Sequence, residues 1–180
     1  MDKYDIQMDA GNGRAFSASE SKFLTLDGAN FILSTTAKNE LWYYDSVLDS
    51  VVLKQYSSAF TQNEKLADYP KTANNQESFD QANKQKNDQV VFGRLVKDEN
   101  SGRFYRYSRE QDDSENRYAY VLTIFDKNLD QIHEEKLSEE VTIPGYYSAA
   151  QTFVHEGMLY TFLNIDDEMA FVRLKPVISK

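Results

Sequence analysis

Basic and aromatic side chains in alternation are the residues of this chain best equipped for chemistry. Arg103, Arg106 and Arg109 interleave with Phe104, Tyr105 and Tyr107. On an extended backbone, successive side chains point to opposite faces, so Arg103, Tyr105, Tyr107 and Arg109 share one face and Phe104, Arg106 and Ser108 the other. Such a strand can grip an anionic or sugar ligand. Equally, its rings and stems can pack between sheets while the guanidinium heads reach water. Tyr146 and Tyr147 follow Pro144-Gly145 at a loop-to-strand entry, where exposed rings stack on sugars and buried rings fill a core. Arg94, Arg106, Tyr146 and Tyr147 are the candidate ligand contacts. Trp42-Tyr43-Tyr44 lies in mid-strand and reads as core on at least one face.

Other chemistries lack their residues. The two histidines, His133 and His155, have no second His or Cys at metal-ligand spacing. With no cysteine in the sequence there is no disulfide framework, thiolate zinc site, cysteine nucleophile or lipidated cysteine. Gly-x-Ser-x-Gly is absent, which disfavours a nucleophile-elbow hydrolase. Gly11-Asn12-Gly13 reads as a turn, because Phe16 stands where a dinucleotide fingerprint needs glycine. Asp126-Lys127-Asn128-Leu129-Asp130 begins like a calcium loop but continues with Gln131 at the glycine position and Leu137 at the bidentate glutamate position. The acidic clusters Asp112-Asp113-Ser114-Glu115-Asn116 and Asp166-Asp167-Glu168 read as solvated hairpin tips. No catalytic residue, cofactor or metal ligand is assigned. A net charge of −9, from 29 acidic against 20 basic residues, disfavours nucleic acid as a partner.

The elements that must position these groups are strands. Short apolar and aromatic runs bounded by Asp, Asn and Gly place them over 14–19, 22–26, 30–35, 40–45, 50–57, 90–97, 103–109, 118–126, 131–138, 148–155, 158–164 and 169–175. Leu26-Asp27-Gly28-Ala29-Asn30, Asp98-Glu99-Asn100-Ser101-Gly102 and His155-Glu156-Gly157 read as hairpin turns. A polar insertion over 58–89 separates the first group of strands from the second and carries one short helix around 76–86, with Phe79 and Ala82 as its apolar contacts. No apolar stretch is long enough to span a membrane as a helix, and the first ten residues lack the apolar core of a secretory signal.

Self-similarity organises the rest. Leu41 to Val51 aligns with Leu122 to Ile132, matching leucine, an aromatic, Asp, Leu and Asp in register. In both copies the first Asp is placed to bond turn amides while the apolar residue closes over the hairpin end. The expectation is one all-β domain over 1–180 made of antiparallel four-stranded meander units at about 14–57, 90–138 and 146–175. Units of this kind suit the blades of a partial β-propeller; a sandwich or barrel fits the same hairpins. Roughly three blades cannot close a ring of four to eight, so the reading calls for missing blades or a second copy of the chain, and it predicts exposed apolar sheet faces.

Phe125 to Ile132, Phe92 to Asp98, Arg103 to Tyr107 and Met158 to Asn164 together resemble the C-terminal part of six-bladed β-propeller lipoproteins of Bacteroides-type bacteria, a family of unknown function. The resemblance implies a cell-envelope location. The functional expectation is a non-enzymatic envelope-associated binding or scaffold domain for a carbohydrate or other small ligand. A carbohydrate-active enzyme, or a structural segment completed by a partner or missing chain, is the alternative.

Overall fold

A computed structural model describes residues 2–11, 13–112, 117–137, 152–165 and 167–177. The fold is all-β apart from one helix. Its elements are β1 (Ile6–Gly11), β2 (Arg14–Ala18), β3 (Lys22–Asp27), β4 (Asn30–Thr35), β5 (Glu40–Asp45), β6 (Ser50–Gln55), β7 (Thr72–Ala73), α1 (Gln76–Asp88), β8 (Val91–Phe92), β9 (Val96–Lys97), β10 (Phe104–Asp112), β11 (Arg117–Phe125), β12 (Gln131–Lys136), β13 (Thr152–His155), β14 (Met158–Ile165) and β15 (Glu168–Leu174). They form four sheets, and among the described strands none closes into a barrel.

Sheet 1 has the order β2-β1-β7, with β7 parallel to β1. Sheet 2 is the meander β3-β4-β5-β6. Sheet 3 runs β12-β11-β10-β8, with β9 also paired to β10, and sheet 4 runs β13-β14-β15. The segment over 14–18, expected to open the first meander, pairs with β1 instead. That partner strand carries its own alternation, since Tyr4, Ile6 and Met8 are buried and Asp5, Gln7 and Asp9 are more exposed.

Period-two geometry explains why the sheets stack. On β10 and β11, Phe104 and Phe125 face sheet 2 and pack with Ile32, Leu41, Leu95 and Leu129. The alternate residues Tyr105, Tyr107, Tyr120, Leu122 and Ile124 face sheet 4 and pack with Leu159, partly buried Val154 and Leu174 beside them. The centre of sheet 3 is therefore buried on both faces, and β11 reads as a nearly continuous apolar and aromatic run.

Among the described residues, sheets 2 and 4 are covered on one face only. The register of sheet 2 lines up Leu24, Leu33, Trp42 and Leu53 in one cross-strand row and Leu26, Phe31, Tyr44 and Val51 in the next. All but the half-buried Tyr44 count as exposed, from Leu33 at 36% to Leu26 at 68%. On sheet 4, Phe153 stacks on Tyr160 at 5.1 Å and Phe171 stands edge-on to Phe153 and Phe162. Phe153 and Phe171 keep 45% and 43% of their surface open. These are the apolar faces that an open stack of three sheets was expected to leave.

The expected insertion over 58–89 is more ordered than its composition suggests. Its helix extends to Asp88 and is capped by Asn75, whose side chain accepts from the Ser78 amide at 2.9 Å while the Ser78 hydroxyl sits 3.3 Å from the Asn75 amide. Ala82 and partly buried Phe79 pack with Tyr69 and Ile6, so the insertion seals sheet 1. The expected strand over 90–97 is two short ones, because the chain leaves the ladder between them. There the Phe92 amide donates to the Thr36 carbonyl of sheet 2 at 3.0 Å, and the Gly93 amide to that of Tyr107 in sheet 3 at 2.8 Å.

The repeated Asp turns are seen in both copies. Asp45 Oδ1 accepts from the Val47 and Leu48 amides, and Asp126 Oδ1 from those of Asn128 and Asp130, all at 2.8–3.0 Å. Closure by the apolar residue holds in one copy only: Leu129 is 2% exposed beneath sheet 2, whereas Leu48 is 72% exposed. Among the described residues no neighbouring sheet lies over the first turn to bury it.

Candidate functional site

Where β8 and β9 part, Gly93-Arg94-Leu95 bulges between sheets. Leu95 is driven into the core, 1% exposed, and its carbonyl accepts from the Thr25 hydroxyl of β3 at 3.2 Å. Its neighbour Arg94 is thrown outward into solvent. Beside it opens a groove of about 560 Å³, walled by Leu24, Thr25 and Leu26 of β3, by Arg94 to Lys97 with Glu99, and by Thr152, Phe153 and Val154 of β13. The first strands of three successive meanders thus meet at one concavity.

Its chemistry is divided. Leu24, Leu26 and Phe153 are exposed apolar surface. Lys97 is 3.1 Å from Asp27 and also pairs with Glu99, and these carboxylates hold its ammonium above the usual lysine range. Lys97 and both carboxylates are therefore engaged with one another. The Thr152 and Thr161 hydroxyls are 3.1 Å apart. Among the described residues lining the groove, Arg94 is the cation left for a ligand. An apolar wall with one free guanidinium can hold an amphipathic molecule by its flat face and by an anionic or acceptor group.

The structure does not bring the four candidate contacts together. Arg94 stands at the groove, whereas Arg106 is 1% exposed between sheets 2 and 3. Its guanidinium lies 5.0 Å from the Phe92 ring centre, 5.2 Å from that of Phe125 and 5.9 Å from that of Tyr56. Nη2 donates to Asn39 Oδ1, and Nε and Nη1 find no partner. Burial depresses its pKa to about 10. The even-numbered position on β10 decides this placement, because that face meets sheet 2. Arg109 stacks over Tyr118 at 4.3 Å and donates to the Asn87 carbonyl at the end of α1. Tyr146 and Tyr147 lie outside the described residues. Sequence reasoning missed Leu24, Leu26 and Phe153, whose convergence depends on three sheets separated by more than a hundred residues of chain.

A second concavity, about 700 Å³, lies between sheets 1 and 2 and is lined by Lys3, Tyr4, Glu20, Lys38 and Glu40 among others. Most of its charges are engaged with one another. Lys3 and the Tyr4 hydroxyl donate to Glu64, and Lys38 is 3.9 Å from both Glu40 and Glu64. The Glu20 side chain is buried, accepts from the Thr36 hydroxyl and lies 3.1 Å from both Lys65 and Lys86. This cleft reads as an ion-pair seam joining elements. Among the described residues no group of three or more His, Cys, Asp or Glu is placed to hold a metal ion, and no helix is long and apolar enough to cross a membrane.

No curated protein matches the chain. A crystal structure of a DUF4221 family member from Bacteroides vulgatus is similar, with a TM-score of 0.59 at 14% identity. The match covers 88% of this chain and 46% of that one, so the chain spans about half the length of its structural relative. Residues 1–136 match the family described as "Domain of unknown function (DUF4221)". With that match running from sheet 1 through sheet 3, the chain belongs to the DUF4221 family.

Proposed function

We propose that the chain is a non-catalytic binding domain whose ligand is an amphipathic small molecule, its apolar face on Leu24, Leu26 and Phe153 and its anionic or acceptor group on Arg94. The observation that carries this is the groove itself: an exposed guanidinium beside open apolar side chains, with the nearby carboxylates Asp27 and Glu99 already paired to Lys97. An acidic carbohydrate suits this chemistry as well as an aromatic acid does. The stacking of sheets 2, 3 and 4 supports reading them as consecutive blades of a partial propeller, whose first strands line the axis. The family resemblance supports an envelope location.

The test uses 8-anilinonaphthalene-1-sulfonate, an aromatic anion, as the probe. A charge-assisted hydrogen bond contributes about 1.5 kcal/mol or more, so Arg94→Ala is expected to weaken probe binding about tenfold. Val51→Arg, on the open face of sheet 2 at the edge strand opposite β3, controls for adsorption to bare apolar surface. Equal affinity in wild type and Arg94→Ala overturns the groove as the site. Product formed from any screened glycan, and lost in Asp27→Asn, overturns the non-catalytic reading.

A further inference from the structure

We propose that Arg106 holds a small monovalent anion, of the size of chloride, between sheets 2 and 3. The buried charge sets the problem. A guanidinium keeps its proton in proteins, and a charge taken out of water is costly unless a partner compensates it. Arg106 is fully enclosed, yet its Nη2 donates to the neutral Asn39, and Nε and Nη1 are buried without a partner. The carboxylates on the same face of sheet 3 are engaged elsewhere. Strand pairing puts Arg106, Thr123 and Glu134 in one cross-strand row, but Glu134 accepts from the Ala59 amide at 2.8 Å. Further along β10, Glu110 accepts from the Gln62 amide at 2.8 Å, and Asp112 lies 3.6 Å from Lys136. The Tyr56 hydroxyl donates to the Leu129 carbonyl at 2.7 Å.

The groups left over are donors. On β4, Ser34 shares the face of Ile32, which packs on sheet 3, and its hydroxyl is buried without a partner. The loop over 57–63, drawn onto sheet 3 by its Ala59 and Gln62 amides, buries the Thr61 hydroxyl in the same condition. Guanidinium N–H groups and two hydroxyls in one layer call for an acceptor. An anion accepts from them and also cancels the charge, whereas a water accepts and leaves the charge uncompensated. The rings of Phe92, Phe125 and Tyr56 around the guanidinium limit the guest to the size of a halide. The site is separate from the groove beside Arg94 and does not rest on it.

The experiment is urea unfolding of the 180-residue chain at fixed ionic strength, with chloride replacing gluconate over about two decades of concentration, for the wild type and Arg106→Met. An anion that binds only the folded chain raises the folding constant about tenfold for each tenfold rise in its concentration above the dissociation constant. That dependence is expected in the wild type and is expected to vanish in Arg106→Met, which replaces the buried charge by an apolar side chain. No chloride dependence in the wild type, or the same dependence in both chains, overturns the proposal. Wild-type crystals grown in sodium bromide give a second readout that needs no variant to fold: an anomalous peak within hydrogen-bond reach of the Arg106 guanidinium is expected. Water alone at that position overturns the proposal, and so does a bromide peak without chloride dependence in solution, which would mean an adventitious ion only.

Discussion

Arg106 shows how one position on one strand decides a residue's role. A guanidinium held among Tyr56, Phe92 and Phe125 and bonded to a single neutral side chain, Asn39, is kept in place by that amide more than by any ion pair within the chain. Asn39 is itself 5% exposed and donates to Asn63 Oδ1 at 3.0 Å. Removing it leaves a buried charge without its side-chain acceptor, which costs about 3 kcal/mol or more. Asn39→Ala is therefore expected to lower the free energy of unfolding in urea by about that much. Adding Arg106→Met to Asn39→Ala should recover a large part of the loss, and a strictly additive double-mutant cycle would show that the two groups are not coupled. The alternation of Arg103 to Arg109 was legible in the sequence, including which residues share a face. Which face meets a sheet and which meets a ligand was not, since that depends on neighbours supplied by other meanders. Arg94 shows the same gap, for its exposure comes from a backbone excursion that no local pattern marks.

At the scale of elements, sheet 1, the insertion and α1 are tied to the rest by buried charges. Lys65 donates to the Lys86 carbonyl at 3.0 Å, Lys86 to the Ala18 carbonyl at 2.8 Å, and Glu20 lies against both ammonium groups. Burial pushes the Glu20 carboxyl up, but the Thr36 hydroxyl and the two lysines outweigh it and hold the carboxyl below its ordinary 4.5. An unfolded chain then takes up this proton before the folded one does. The contribution is present in full above the ordinary glutamate range and is lost as the pH falls through the lower folded value. The expected outcome is a urea midpoint that drops below about pH 4.5, with a flatter acid slope in Glu20→Gln measured over the same range. An unchanged slope would assign the acid sensitivity to other carboxylates. Most strands were legible because their apolar and polar residues alternate and their turns carry Asp, Asn and Gly. The first strand carried the same signal in Tyr4, Ile6 and Met8, yet those residues read as isolated apolar positions when judged only as a leader segment. The two-residue β7 has no pattern to read, and its pairing with β1 spans more than sixty residues of chain.

Across the whole molecule, cover is uneven. Among the described residues, sheet 3 has a neighbour on each face, while sheets 2 and 4 each have one. Amides of β10 and β11 are therefore expected to exchange with deuterium most slowly, Val121 to Phe125 above all, and those of β6 and β15 at least tenfold faster. Uniform protection across the three sheets would contradict the stack as described. Sheet 2 reads in sequence as apolar on both faces, in Phe31-Ile32-Leu33 and Leu41-Trp42-Tyr43-Tyr44, so the need for a second neighbour was legible even though its identity was not. The groove was illegible for a different reason: it is assembled from three separate meanders, and its walls belong to no one segment.

The seating of the β1–β2 hairpin has a consequence for how the chain is made. Ile6 and Ala18 lie against Tyr69, Phe79 and Ala82, which are synthesised some sixty residues later. At roughly 5–20 residues per second, about 3 to 13 s pass at the ribosome between Ala18 and Ala82. The four strands of sheet 2 are complete within that interval. The hairpin waits with its apolar side open until the helix that covers it has been translated, so a segment made earlier is docked only after its later-made neighbour has formed.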